Sequence, residues 1–203
     1  MKALVMAGGR ATRMGVGVEK PLVELKGKML IDLTLEKLSG LDEIDHIFIA
    51  TSPNAPRTRD YVSSKVPNID VIHTSGSSFH EDLVEAIHRG SLYFPLLILS
   101  TDMPLVDAGF LSKVINTYER MDHASLSVFL RVERDGPLAS VSFDLEGAFV
   151  TPAGINIIDG KCIDMKEIPQ FNLIEDYSSK FININTKKDL ELARRILDDQ
   201  LNP

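Results

Sequence analysis

The sequence has little that could cross-link it or hold it in a membrane. Among its 203 residues there are one cysteine, Cys162, no tryptophan and only 6% aromatic residues. A single cysteine excludes an internal disulfide and any metal or redox site of the CxxC type, which favours a reducing environment. No run approaches the about 20 apolar residues needed to cross a bilayer, and the apolar start at Lys2–Ala7 is too short for a signal segment. We therefore expect a soluble cytoplasmic protein with no membrane span.

Positive charge is also scarce, which limits the partners. The chain carries 22 basic and 29 acidic side chains, for a formal net charge of −7. It therefore lacks the positive field that attracts a phosphate backbone, and no nucleic-acid partner is expected. Hydrophobic residues make up 44% of the sequence, enough to bury a full core without a disulfide or a structural metal. We expect a single domain spanning residues 1–203.

Short apolar runs alternate with longer amphipathic stretches, as in β-α-β units around a mostly parallel sheet. The predicted strands are Lys2–Ala7, His46–Thr51, Asp70–His73, Pro95–Thr101, Ser125–Val132, Gly154–Ile158 and Lys180–Asn185. The predicted helices are Leu30–Ser39, Thr58–Lys65, Glu81–Arg89, Ala108–Arg120 and Lys187–Asp199, the last with a capping box at Thr186 and Asp189. The poorly periodic stretch 133–150 indicates a hairpin or loop. The expected fold class is α/β, with a mostly parallel central sheet flanked by helices.

The first strand-to-helix turn is the most informative segment. In an open α/β sheet, ligands bind beyond the carboxyl ends of the strands, where this turn begins. Its glycine pair, Gly8 and Gly9, lets the backbone approach a ligand and form an anion-binding nest. Three cations follow within eleven positions, namely Arg10, Arg13 and Lys20. In an acidic protein this concentration indicates a polyphosphate, the alternative being an ordinary glycine-rich loop with solvated cations.

Two familiar phosphate-binding patterns do not fit this turn. The pattern GxxxxGK[ST], counted from Gly9, fails because Met14 stands where its second glycine should be. The dinucleotide pattern GxGxxG, counted from Gly15, fails because it ends on Lys20.

The turn resembles the signature loop of nucleotidyltransferases typified by molybdenum-cofactor guanylyltransferase and the sugar-phosphate nucleotidyltransferases. The blocks that carry this resemblance are Leu4–Gly9, Thr12–Gly15 and Glu19–Leu22. Later blocks resemble the archaeal GTP:adenosylcobinamide-phosphate guanylyltransferases, the CobY family: Ile47–Asn54, Thr74–Gly76, Glu81–Leu83, Pro152–Asn156 and Phe181–Thr186. The resemblance implies a single-domain, Rossmann-like nucleotidyltransferase fold. It also implies Mg²⁺-assisted transfer of GMP from GTP to adenosylcobinamide phosphate in cobalamin biosynthesis, by a homodimer.

The resemblance assigns the first turn to the triphosphate. Five of its residues would surround the phosphates: Ala7, Gly8, Gly9, Arg10 and Thr12. Arg13 would meet the leaving β- and γ-phosphates, and Lys20 would bridge the α-phosphate and the acceptor. These roles suit the chemistry, since displacement at phosphorus depends on positioning and charge neutralisation. From the residues alone, Lys20 could instead be a solvated surface lysine.

A second candidate site follows the most hydrophobic predicted strand. Asp102 lies at the carboxyl end of this strand, and Mg²⁺ binds nucleotides through one or two carboxylates plus phosphate oxygens. Asp102 is therefore the predicted metal ligand and catalytic carboxylate, although Pro104 and Asp107 nearby leave a helix N-cap or a turn as the alternative. The second group at the metal is expected to be Asn183 or Asn185, with Asn185 fitting a turn equally well.

Polar residues after the second and third predicted strands are the candidates for guanine recognition. Guanine presents an acceptor at O6 and donors at N1 and N2, so a selective pocket needs donors and acceptors in fixed places. The candidates are Thr51, Ser52, Ser75 and Gly76. Gly154, at the start of a predicted strand, indicates the close approach of another backbone or a ligand. The resemblance places Gly154 beside the bound nucleotide.

Two other functions stay open. The nearer one is a guanylyl- or cytidylyltransferase for molybdopterin or another phosphorylated acceptor, because those enzymes share the first loop. The other is a nucleotide-sensing module without chemistry, which the presence of both Lys20 and Asp102 disfavours. Cys162 has no companion pattern for a nucleophile and is expected to be a small buried residue.

Overall fold

The computed structural model describes residues 1–9, 17–65, 69–136, 138 and 141–201. Three of the predicted triphosphate-binding residues, Arg10, Thr12 and Arg13, lie outside the described residues. In the part of the chain that is described, no helix is long and apolar enough to cross a membrane.

The described elements alternate between strands and helices along most of the chain. The strands are β1 (Lys2–Met6), β2 (Glu24–Leu25), β3 (Lys28–Met29), β4 (His46–Thr51), β5 (Asp70–His73), β6 (Pro95–Ser100), β7 (Ser125–Arg131), β8 (Phe143–Leu145), β9 (Ala148–Asp159) and β10 (Gln170–Asp176). The helices are α1 (Leu30–Ser39), α2 (Pro56–Lys65), α3 (Phe79–Gly90), α4 (Ala108–Glu119) and α5 (Lys187–Leu201).

One large sheet organises the molecule, in the strand order β5-β4-β1-β6-β9-β7-β10, with β8 paired to β9. The pairs β5–β4, β4–β1, β1–β6 and β7–β10 are parallel, whereas β9 runs antiparallel to β6, β7 and β8. The predicted mostly parallel α/β sheet is thus confirmed. The chain leaves β1 toward β4 and β5 and then returns to β6 on the other side of β1, so a switch point for ligand binding lies at the carboxyl ends of β1 and β6.

The central strands are buried on both faces, which explains their continuous apolar runs. On β1, Ala3 and Val5 point into the core that α1 and α4 cover. Leu4 and Met6 point into the core that α3 covers. The sequence pattern of β1 therefore reflects burial against two helical layers.

The predicted strand Lys180–Asn185 is wrong. The chain forms a short 3-10 helix at Ser179–Phe181 and continues without a strand, while the last strand of the sheet is β10. Ile182 and Ile184 are buried all the same, and the backbone N–H of Ile184 donates to the carbonyl oxygen of Asp102 at 2.8 Å. The alternation of apolar residues in this segment therefore reflects packing against the core and not pairing in a strand.

The predicted strand start at Gly154 is also wrong, because β9 begins at Ala148 and Gly154 lies inside it. Gly154 has φ +77°, and the register between β7 and β9 shifts between Ser127 and Phe129. A left-handed residue at such an irregularity favours glycine. The glycine marks a break within the strand and not its beginning.

The hairpin expected within 133–150 is present as β8 and β9, which are joined by a turn at Glu146 and Gly147, both with positive φ. The helices α2 and α3 begin two residues earlier than predicted. Pro56 is tolerated in a first helical turn, and the Ser78 hydroxyl caps α3 by accepting from the Glu81 N–H at 3.1 Å.

Candidate active site

Lys20, Asp102 and Asn185 meet at the carboxyl edge of the sheet. The Lys20 ammonium donates to Asp102 Oδ2 at 2.5 Å and to Asn185 Oδ1 at 2.8 Å. The side chains of Lys20 and Asp102 are only 15% and 13% exposed, so this is a largely desolvated ion pair. Ser100 donates from its hydroxyl to the other carboxylate oxygen of Asp102. The site therefore holds a cation between two oxygen acceptors, one of them charged.

Three different parts of the fold supply these groups. Lys20 opens a short 3-10 helix, Lys20–Leu22, whose Pro21 is buried. Asp102 follows β6, and Asn185 immediately precedes the N-cap Thr186 of α5. The predicted capping box of α5 is confirmed, since the Thr186 hydroxyl accepts from the Asp189 N–H and Asp189 Oδ2 accepts from the Thr186 N–H at 2.7 Å. The rigid start of α5 thereby positions Asn185.

Glu19 anchors the segment that carries Lys20. Its carboxylate accepts from the backbone N–H groups of Arg57 and Thr58 at 2.9 and 2.6 Å, and from the Thr58 hydroxyl at 2.7 Å. These N–H groups belong to the first turn of α2, where a carboxylate is favourable. Sequence reasoning missed this contact, and the position of Glu19 directly before Lys20 was its only local signal.

Two of the structural alternatives for Lys20 and Asp102 are excluded. Lys20 is not a solvated surface lysine, because its ammonium is held by two partners. Asp102 does not cap α4; that helix is capped by Asp107, whose Oδ1 accepts from the Phe110 N–H at 2.7 Å. Asp102 does lie in a turn, directly after β6, so its role as a metal ligand stays a prediction.

The glycine pair after β1 lies against the loop after β4. Ala7 is buried, and its N–H donates to the carbonyl oxygen of Ala50 at 2.8 Å. The Ser52 hydroxyl donates to the carbonyl oxygen of Gly8 at 2.9 Å. A Cβ on Gly8 would lie 2.9 Å from Ser52 Oγ, so glycine is required here by close approach. For Gly9, no atom of the described residues lies within 4 Å of the Cβ position.

The other candidates for guanine recognition continue this network. Asn54 donates from Nδ2 to the carbonyl oxygen of Gly76 at 2.9 Å, and its N–H donates to the Ser52 hydroxyl. Gly76 has φ +77°, and a Cβ there would lie 2.7 Å from Asn54 Nδ2. Ser75 is exposed and donates its N–H to Glu85, whereas Thr51 is buried and pairs with the His73 ring. The loops after β1, β4 and β5 are thus joined side by side.

Gly154 lies near the loop that carries Asp102. A Cβ at Gly154 would be 3.6 Å from Met103 Cε, an ordinary contact, and the glycine itself is exposed. Asn183 accepts a hydrogen bond through Oδ1 from Asn185 Nδ2 at 3.0 Å. The structure therefore brings Gly154, Asn183 and Asn185 to the same edge of the sheet as Asp102.

Lys37 fixes the other side of the Asp102 loop. Its ammonium donates to the carbonyl oxygen of Pro104 at 3.0 Å. Burial lowers the pKa of Lys37 from 10.5 to about 8, and the Asp107 carboxylate opposes this shift. Sequence reasoning missed Lys37, which lies on α1 and carries no motif.

A cavity of about 750 Å³ borders the cluster and shares Asn183 and Asn185 with it. Its described walls come from β7, β9, the 177–185 segment and α5, the last through Asp189 and Leu192, and from Glu133, Gly136, Leu138 and Val141. Its volume falls in the range of small-molecule sites.

The residues 3–144 match the family model of the MobA-like NTP transferase domain. The chain belongs to this nucleotidyltransferase family. The nucleotidyltransferase is 38% identical to the adenosylcobinamide-phosphate guanylyltransferase of Methanocaldococcus jannaschii, over 97% of each chain. It is 25% identical to a protein of Natranaerobius thermophilus named as a probable molybdenum cofactor guanylyltransferase, over 97% of this chain and 96% of the other. The family resemblance identified in the first turn is confirmed.

A solved structure with the same fold is that of CMP:2-keto-3-deoxy-manno-octonic acid synthetase complexed with CTP. It matches the nucleotidyltransferase with a TM-score of 0.75 and 14% identity, over 98% of this chain and 100% of the other. At this identity the likeness shows the fold alone.

Proposed function

We propose that this nucleotidyltransferase transfers GMP from GTP to adenosylcobinamide phosphate, giving adenosylcobinamide-GDP and pyrophosphate in cobalamin biosynthesis. The observation that carries the proposal is the Lys20 ammonium, held between Asp102 and Asn185 at the switch point of the sheet. The choice of acceptor is supported by the 38% identity to the Methanocaldococcus jannaschii protein along 97% of both chains.

The proposed reaction is a displacement at the α-phosphorus of GTP. An oxygen of the acceptor phosphate forms the new bond to this phosphorus, and the bond from the phosphorus to the bridging oxygen of the β-phosphate breaks. Pyrophosphate leaves with that electron pair, so no oxidant or further reactant is needed. Negative charge is concentrated on the α-phosphate oxygens and the leaving group, and a fixed cation at this point stabilises the transition state.

Lys20 is the group proposed to supply that cation. Asp102 and Asn185 hold its ammonium at the carboxyl edge of the sheet, and Glu19 holds the backbone beside it. When the phosphates bind, the ammonium donates to an α-phosphate oxygen and to the incoming acceptor phosphate. The triphosphate roles of Arg10, Thr12 and Arg13, which lie outside the described residues, stay predictions.

The joined loops after β1, β4 and β5 are proposed to hold the nucleotide. Gly8 and Gly76 permit the close packing of these loops, and the loop after β4 links them by hydrogen bonds on both sides, from Ser52 to Gly8 and from Asn54 to Gly76. We assign guanine recognition to Ser75 and Gly76, supported from beneath by the buried Thr51 and Ser52, and contact with the nucleotide on the other side of the site to Gly154.

Mg²⁺ fits the oxygen donors present at this edge. Asp102 offers a carboxylate and Asn185 an amide oxygen, which are ligands that suit this hard cation. Within the described ranges, no group of three or more histidine, cysteine or acidic residues could hold a metal. A nucleotide-bound Mg²⁺ needs only one or two carboxylates in addition to phosphate oxygens. When bound, the ion would add positive charge at the phosphates. The homodimer implied by the resemblance and the cytoplasmic location expected from the sequence composition belong to the same proposal.

The test is the release of pyrophosphate from GTP with defined acceptors. We expect release with adenosylcobinamide phosphate and Mg²⁺, and the formation of adenosylcobinamide-GDP by mass spectrometry. Release with molybdopterin but not with adenosylcobinamide phosphate would instead indicate a molybdenum cofactor guanylyltransferase, the activity for which the Natranaerobius thermophilus relative is named. Binding of GTP without release with either acceptor would indicate a nucleotide sensor and overturn the proposal.

A further inference from the structure

We propose that the cavity beside Asn183 and Asn185 binds the uncharged or cationic body of the phosphorylated acceptor, with the acceptor's phosphate directed toward Lys20. This inference rests on the proposed function, since it takes Lys20 as the point where the phosphates react. For the proposed acceptor, the occupant is the amide-bearing corrin ring of adenosylcobinamide phosphate.

The position of the cavity supports this occupant. It shares Asn185 with the reaction centre, and Asn185 Oδ1 lies 2.8 Å from the Lys20 ammonium. The proposed nucleotide loops lie after β1, β4 and β5, whereas the cavity is bounded by β7, β9 and α5. A molecule in the cavity therefore approaches Lys20 from the side opposite these loops. Displacement at phosphorus requires this arrangement, because the attacking and leaving oxygens lie roughly in line.

Exposed apolar side chains line the cavity, and this favours a large ligand. Among the described residues, three of the large apolar side chains that stand exposed border it: Val141, Tyr177 and Leu192, at 62%, 44% and 48% exposure. Leu130 and Ala153 form buried wall residues. Exposed apolar side chains gathered around one cavity are typical of a binding site. Because the rim is exposed, a ring larger than the cavity can enter by one edge.

The charge of the lining decides which kind of body fits. The described lining residues include two carboxylates, Glu133 and Asp189, and no lysine or arginine. A polyanionic body would be repelled there, whereas a neutral or positively charged one is favoured. The cobalt(III) corrin of an adenosylcobinamide carries a net positive charge. The anionic body of molybdopterin lacks this complementarity.

Hydrogen-bonding groups in the cavity match carboxamides. Asn183 and Thr151 each offer both a donor and an acceptor. Burial and the Asp189 carboxylate raise the pKa of the Tyr177 hydroxyl, so this group stays protonated and can donate at neutral pH. An acceptor edged with methyl groups and amides can therefore satisfy both the apolar and the polar parts of the lining.

The test compares Leu192→Arg with a matched control, Met165→Arg. Both side chains are exposed to about the same extent, 48% and 49%, but only Leu192 lines the cavity, so neither change should prevent folding. We expect Leu192→Arg to raise the KM for adenosylcobinamide phosphate at least tenfold and to leave the KM for GTP within twofold. Met165→Arg should change neither value. Glu133→Lys, an exposed rim position, should also raise the acceptor KM while sparing GTP.

Binding without chemistry separates this inference from the proposed function. Cobinamide, which lacks the reacting phosphate, is titrated in the presence of a GTP analogue with a methylene group between the α- and β-phosphates, and its visible absorbance is followed. Binding to the unmodified protein that is lost in Leu192→Arg supports the cavity, even if no pyrophosphate is released. Turnover with an acceptor KM unchanged in both cavity variants would overturn the cavity and keep the function. No binding of cobinamide, or a parallel loss of GTP affinity in Leu192→Arg, would also overturn it.

Discussion

The loops at the carboxyl edge are organised differently in the two halves of the sheet. In the parallel half, β5-β4-β1-β6, neighbouring loops are joined by hydrogen bonds from Ser52 to Gly8 and from Asn54 to Gly76. In the mixed half, β9-β7-β10, the chain leaves a cavity with exposed apolar walls. A nucleotide is small and highly charged, and it gains from groups fixed in advance. We accordingly assign the half with joined loops to the nucleotide and the half with open apolar walls to the acceptor.

Removal of the Lys20 ammonium should give the largest effect, because this group lies where the two halves meet. We expect Lys20→Ala to lower turnover by more than ~10²-fold, since it removes a fixed charge at the reacting phosphate. The matched control is Lys113→Ala, an exposed lysine paired with Glu175. Steady-state pyrophosphate release measures both, and thermal melting verifies that each variant is folded. Near-normal turnover of Lys20→Ala would remove Lys20 from the mechanism.

The next effect tests whether Gly154, inside β9, lies beside the bound nucleotide. Gly154 and Gly147 both have positive φ, +77° and +81°, but of these two only Gly154 has a described neighbour near its Cβ position, on Met103 beside Asp102. We expect Gly154→Asp to weaken GTP binding more than about tenfold through like-charge repulsion, as measured by titration calorimetry. Gly147→Asp introduces the same kind of backbone strain in the turn before β9 and should leave GTP affinity unchanged. Equal losses in the two variants would assign the effect to strain.

The sequence predicted the strands that are compact apolar runs, and these occur in both halves of the sheet. The strands β1, β4 and β6 of the parallel half and β7 of the mixed half were found within one residue for this reason, and the shorter, more exposed β5 was found as well. In the mixed half, β10 was missed, because its residues are mostly half-buried and form no such run. The buried Ile182 and Ile184, which alternate like strand residues, were taken as a strand instead.

The candidate site likewise contains residues that lie beside a pattern and residues that do not. Lys20 and Asp102 could be placed at the carboxyl edge of the sheet because each stands beside a pattern, a glycine-rich turn and a buried strand, whose position in an α/β sheet is known in advance. The contact of Glu19 with Thr58 spans 39 residues, and Lys37 reaches Pro104 across 67. Contacts of this kind depend on how helices lie on the sheet, which periodicity alone does not specify.

Lys37 offers a smaller effect that reports on the rigidity of the Asp102 loop. Its folded pKa of about 8 lies below its ordinary 10.5, so between these values the unfolded chain binds more protons than the folded one. The free energy of unfolding should therefore rise with pH from about 8 to 10.5 relative to Lys37→Met, by about 3 kcal/mol. Urea unfolding of both proteins at a series of pH values measures this difference. If the free energies of unfolding of the two proteins change with pH in the same way, the pKa of Lys37 is not lowered in the folded state.

The smallest effect concerns the anchoring of the Lys20 segment to α2. Glu19→Ala removes the carboxylate that accepts from the first turn of this helix, and we expect a loss of about 1 kcal/mol in the free energy of unfolding. Turnover should fall as well, because the segment before Lys20 is released. Glu167→Ala, at an exposed loop position, serves as the control. A change in stability equal to that of the control would mean that the α2 contact does not hold the segment.

The ion pair between Lys20 and Asp102 has a consequence for the anions that compete at the proposed site. The Lys20 ammonium already has an internal counter-ion at 2.5 Å, so in the proposed mechanism an incoming anion has to displace a carboxylate that water screens poorly. A chloride or a lone inorganic phosphate offers few contacts for this exchange, whereas a nucleoside triphosphate brings several at once. We therefore expect the abundant small anions of a cell to compete only weakly with the triphosphate.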